Sequence, residues 1–163
     1  MSADDYDKIA MAVIVAASEV DSTFEKHVDS DAKLRAKIHG WGQVFRMAKA
    51  VWPQEALEAV YVHYGEAGAF PIKPGDVVAY CKSRPVTSSR EHISWWLDRW
   101  AQHPWSDAIQ EAVGRPIPQL EPDSSDVADK PRLIEQRRAF INEQRDFFID
   151  QILANAERKA ITR

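Results

Sequence analysis

PRLIEQRRAFINEQRDFFIDQILANAERK, residues 131–159, repeats a pair of apolar side chains every seven positions: Leu133 and Ile134, Phe140 and Ile141, Phe147 and Phe148. Ile152 and Leu153 extend the stripe, and the other side is rich in Arg and Glu. Seven residues make about two helical turns, so the segment predicts one long amphipathic helix from Pro131 to about Lys159 whose apolar face needs a partner surface. Just upstream, Arg115 to Pro131 carries four prolines, two serines and several aspartates and offers little to bury, which reads as a polar, Pro-rich linker over 115–130.

Upstream of the linker the apolar residues again fall at spacings of three and four. Ile9, Val13, Ala16, Ala17 and Val20 predict a helix from about Asp5 to Val20, and Leu34, Ile38, Trp41, Phe45 and Ala48 predict a second, capped by Asp29 or Asp31. Trp52-Pro53 opens a third helix, with Ala56, Leu57, Val60, Tyr61 and Tyr64 on its apolar face and an end near Gly65. Ala67 to Lys73 reads as a turn, and Pro74-Gly75-Asp76 leads into a short helix, Val77 to Lys82. Ser88 or Ser89 can cap a helix bearing Ile93, Trp96, Leu97 and Trp100, and a short helix over Trp105 to Val113 closes at Gly114, where a left-handed cap favours glycine. The expected architecture is all-α: a multi-helix bundle over 1–114, the linker 115–130, and an amphipathic helical tail over 131–163.

The 163 residues, 45% of them hydrophobic, suffice for a core, and the formal charge of −4 makes no global case for nucleic acid. The charge is uneven: −6 over residues 1–31, +4 over 32–86, −4 over 87–130 and +2 over 131–163. Cys81 stands alone, so no internal disulfide can form, and a reducing, cytoplasmic setting is expected. The apolar run Ile9 to Ala17 follows an acidic start and is too short for a span of ~20 residues, so neither a targeting segment nor a membrane helix is expected.

Catalytic signatures are missing. No G-x-x-x-x-G-K-[ST] is present to cradle phosphates, nor a G-x-S-x-G elbow. His27, His39, His63, His92 and His103 never pair with each other or with Cys81 at metal-ligand spacing. Glu55 and Glu58 read as an exposed acidic face, and Cys81 as a small core residue. The expectation is a non-enzyme with no catalytic residue, metal or cofactor.

The order Trp41, Val44-Phe45, Ala56-Leu57-Glu58-Ala59-Val60-Tyr61, His63-Tyr64 and Phe70-Pro71-Ile72-Lys73-Pro74-Gly75-Asp76-Val77-Val78 resembles the small helical domain of the replicative-helicase loader/inhibitor proteins of phages of Gram-positive bacteria. The resemblance covers about Lys33 to Arg84. It implies a compact helical amino-terminal domain, no ATPase site, and a carboxy-terminal part that engages the replicative helicase during DNA replication in a bacterial host cytoplasm. The chain departs from that pattern in the Trp-rich block 92–105 and in its strong terminal helix.

Partner contact is therefore expected at Phe140, Ile141, Phe147, Phe148 and Ile152, with Trp95 as a further contact because one helix cannot bury Trp95 and Trp96 on the same face. The same stripe could instead pack on its own domain or form a homodimer. Gln144-Arg145-Asp146-Phe147-Phe148 also resembles the short motifs that dock on the bacterial sliding clamp. Two alternatives stand beside the loader reading. One is a helix-turn-helix-like module binding DNA through Lys33, Arg35, Lys37, Arg46 and Lys49. The other is a phage inhibitor that occludes a host protein.

Overall fold

The computed structural model describes residues 1–24 and 28–163, so His27 lies outside the described residues. Among them the chain is all-α, with eight helices and no strand. Two compact units divide it, Met1–Pro85 and Val86–Arg163.

In the first unit α1, Ala3–Val20, begins at a capping box: Ser2 Oγ accepts from the Asp5 amide and Asp5 Oδ2 accepts from the Ser2 amide at 2.8 Å. It buries Tyr6, Ile9, Val13, Ile14 and Ala17. α2, Asp31–Ala48, is capped by Ser30 rather than by the neighbouring aspartates, and it ends at Lys49 in the left-handed region, φ 53°. Its contact with α1 is close. A Cβ at Gly42 would lie 1.9 Å from Asp7 Oδ1 and 3.2 Å from the Asp7 Cα, so a larger residue requires the Asp7 carboxylate to swing away and the backbone to give slightly.

α3, Pro53–Tyr64, and α4, Pro74–Ser83, both start on the expected prolines. Phe45, Val51, Trp52, Val60, Val77 and Cys81 are buried in this unit. Tyr61, expected on the buried face of α3, is 56% exposed, because Ala56, Ala59 and Val60 turn inward instead.

The second unit overturns the predicted organisation. α5, Arg90–Trp100, is capped by Ser89, and α6, Ala108–Val113, ends on Gly114 at φ 84° as expected. The boundary, however, lies at residues 85–86 and not at 114, and the segment 115–130 is no free linker. Ile117 and Leu120 are buried in the core with Ile93, Leu97 and Ile109. The expected 131–163 tail belongs to the same core, through Ile141, Phe148 and Ile152.

Nor is the tail one helix. It breaks at Gln144, φ −110° and ψ 20°, into α7, Lys130–Glu143, and α8, Arg145–Ile161. Arg145, just past the break, donates to Ser94 Oγ at 2.8 Å and Asp98 Oδ1 at 2.5 Å on α5. Arg90 of α5 donates to Asp150 at 2.6 Å and Asp146 at 3.3 Å. These ties hold α8 on α5 in a direction of its own, which a straight continuation of α7 would not take.

The 115–130 segment lacks apolar mass, so its backbone must be satisfied another way. Arg137 of α7, 4% exposed, inserts its guanidinium and donates to the carbonyls of Leu120 at 3.3 Å, Pro104 at 3.4 Å and Ser106 at 3.1 Å. Trp105 Nε1 donates to the Ser124 carbonyl at 2.9 Å, and Arg132 holds Asp123 at 2.8 Å. Replacing Arg137 with Ala leaves buried carbonyls unmet and should cost about 3 kcal/mol in the urea unfolding of the full chain. Replacing exposed Arg138 the same way should change stability by less than ~0.5 kcal/mol.

Candidate functional site

The break at Gln144 shapes a groove of about 380 Å³ within the second unit. Its floor is aromatic. Phe140 and Phe148 meet edge to face with centroids 5.8 Å apart, and Phe147 and Phe148 lie 6.0 Å apart. The opposite wall is the stretch Arg115–Gln119, which enters a 3-10 turn at Pro118 and contains two prolines with no amide hydrogen to offer. Arg115 lies over the Phe147 ring at 5.4 Å and is the only formally charged side chain lining the groove.

The predicted contact residues separate here. Ile141, Phe148 and Ile152 are 1%, 0% and 3% exposed, inside the unit's own core, so they are not a docking ridge. The stripe is consumed by α8 packing on α5 and α6, which removes both the continuous partner-binding ridge and a homodimer seam made from it. Phe140 is half-buried on the groove floor, and Phe147 alone of the set stays open, 41% exposed. The clamp-like run Gln144 to Phe148 is likewise committed: Arg145 is bound to α5, Phe148 is buried and the segment is helical. Trp95 is half-buried, beside the His92 ring at 6.0 Å and under the Arg99 guanidinium at 5.7 Å.

In the first unit Lys33, Arg35, Arg46 and Lys49 are exposed, whereas Lys37 is half-buried with its ammonium 3.9 Å from the centre of the Phe24 ring. His39 Nδ1 meets Asp7 Oδ2 at 3.3 Å, which leaves Nε2 to accept from the Gln43 amide at 3.2 Å; Gln43 Oε1 accepts from Arg46. The His63-Tyr64 pair has a structural role. The His63 ring donates to the Phe70 carbonyl at 2.6 Å and the Tyr64 hydroxyl accepts from the Ile72 amide at 3.0 Å, which holds the Phe70-Pro71 turn. Phe70 itself is 83% exposed.

No group of three or more His, Cys, Asp or Glu side chains is placed to hold a metal ion among the described residues. No helix among them is long and apolar enough to cross a membrane. Glu55 is buried in the first turn of α3, which corrects its assignment to an exposed acidic face. Sequence reasoning missed Arg115 and the Pro116–Gln119 wall because proline and aspartate content reads as linker; Ile117 and Leu120, spaced by three, were the only signal. No protein-family model, curated protein or solved structure matches the chain.

Cys81 is fully buried, and desolvation pushes its thiol up to about 11, outweighing the hydrogen bond from the Trp52 backbone. Iodoacetamide at mildly alkaline pH should therefore alkylate the native chain at least ~10-fold more slowly than the urea-unfolded chain. The unfolded thiol ionises first, so the unfolded state binds fewer protons. Stability should be intact below the ordinary thiol value and fall by on the order of 2 kcal/mol as pH rises toward 11, and Cys81→Ser should flatten that part of the profile.

Proposed function

We propose that the protein is a non-catalytic DNA-replication accessory factor that binds a replicative helicase, as the phage loaders resembled by residues 33–84 do, and that its second unit makes the contact. The observation that carries this reading is Phe147. In a ridge whose other large side chains turn inward, it stays open at the rim of an aromatic-floored groove, with Arg115 over its ring. A large, partly ordered aromatic beside a concave surface is the usual anatomy of an interface anchor. The groove is built from two helices and a wall pinned by Arg137, so it is preformed and little ordering entropy is lost on binding.

The role in this reading is mechanical. Contact at a helicase subunit can bias a ring toward an open, loadable form only if the factor binds that form more tightly than the closed one. The same contact with the opposite preference would inhibit.

Full-length chain mixed with purified bacterial replicative helicases, followed by size exclusion with light scattering, should give a stable complex with at least one. Phe147→Asp should weaken it by about 2 kcal/mol or more, and Phe70→Asp, on the other unit, by less than ~0.5 kcal/mol. Absence of a complex with every ring tested would reject the helicase as partner. Helicase loading on a covered single strand then separates loading from inhibition by the sign of the effect.

A further inference from the structure

We propose that α2 is a DNA-binding surface that enters the major groove of a duplex, an activity of the first unit independent of any helicase contact. At 3.6 residues per turn the outward side of α2 is formed by Ala32, Ala36, Gly40, Val44 and Met47, all exposed. A Cβ at Gly40 would meet nothing within 4 Å. Lys33 stands within this strip beside Gly40, and Arg35 and Arg46 with His39 between them line one edge; Lys37 lies at the other edge, its ammonium over the Phe24 ring. Lys49 closes the end. Asp31, at the first position, is the only acidic residue of the helix, and none follows before Glu55.

Cations spread across and along one edge of an exposed helix face match a phosphate-lined groove about 12 Å wide, and the short Ala32, Ala36 and Gly40 let the amino-terminal half of the helix approach its floor. Single-stranded nucleic acid fits less well, because it is held by exposed stacking aromatics. The one aromatic on α2 with surface access, Trp41, is half-buried and packs edge-on against Phe24 and Phe45.

The neighbouring carboxylates of α1 are engaged locally. Asp7 orients His39, and Asp5 accepts from the Ser2 amide and lies 3.8 Å from Lys8. The ordered row Asp7–His39–Gln43–Arg46 holds the Arg46 guanidinium against α2. Lys33 pairs with Asp29 at 2.7 Å, but both are well exposed, so phosphate can displace that partner.

Fluorescence anisotropy of a labelled duplex of about 20 bp, titrated with the full chain near 50 mM NaCl and then with added salt, tests the assignment. The expected result is saturable binding with a log–log salt slope of about −3 to −4, each phosphate contact contributing roughly −0.9. Arg35→Gln with Arg46→Gln should lower affinity at least ~10-fold and bring the slope up by about 2. Gly40→Leu, which alters depth and not charge, should lose about as much affinity, with helix content and urea midpoint verifying the fold of each variant.

An oligo(dT) strand of the same length should bind at least ~10-fold more weakly. No duplex binding at low salt, tighter binding of oligo(dT), or an isotherm unmoved by Gly40→Leu would each overturn the proposal. So would loss of a protein complex, but not of duplex binding, in the double glutamine variant. Phe147→Asp should leave duplex binding unchanged, which keeps failure here distinct from failure of the helicase reading.

Discussion

One buried cation organises the second unit. Removing a guanidinium from water is costly, and Arg137 has three carbonyls rather than a carboxylate in direct contact. Desolvation pulls its pKa below the ordinary guanidinium value, and Asp107 and Glu121 oppose that shift. The three carbonyls come from two stretches of chain far apart in sequence, Pro104–Ser106 and Leu120, so a single side chain fixes both loops on α7. Together with buried Ile117 and Leu120 it backs the wall opposite Phe147.

The same arrangement explains which parts of the fold were legible in the sequence. Helix starts at Ser89, Pro53 and Pro74 were, because these residues act within one turn of themselves, and the Gly114 end was, because a positive φ is a local demand; the cap of α2 was expected on Asp29 or Asp31 and falls on Ser30 between them. The 115–130 segment was not, because the side chain that satisfies its Leu120 carbonyl, Arg137, stands 17 residues further along the chain. Nor was the break at Gln144, which carries neither proline nor glycine and is set by Arg145 reaching Ser94 and Asp98.

For the candidate site, periodicity correctly marked one face of residues 131–159 as apolar but could not say what would cover it. Phe147 and Phe148 are adjacent and chemically identical, yet one is 41% exposed and the other fully buried. Neighbours on a helix point about 100° apart, and which of the two turns inward depends on how α8 packs on α5 and α6, which a seven-residue repeat does not contain. On α2 the positive charge was visible at once. Which of those cations share the outward face with Ala32, Ala36 and Gly40 depended on knowing which face α1 covers.

Gly42 has one more implication. Where α2 crosses α1, a hydrogen atom occupies the place of a side chain, and the Asp7 carboxylate lies where a methyl group would go. What is missing at position 42 makes room for the carboxylate that orients His39. Drift in the outward residues of α2 can retune what that surface touches without moving the hairpin, whereas a single added methyl at position 42 would displace the Asp7 carboxylate and with it the bond to His39 that begins the row to Gln43 and Arg46. The surface is free to vary; the hinge point beneath it is not.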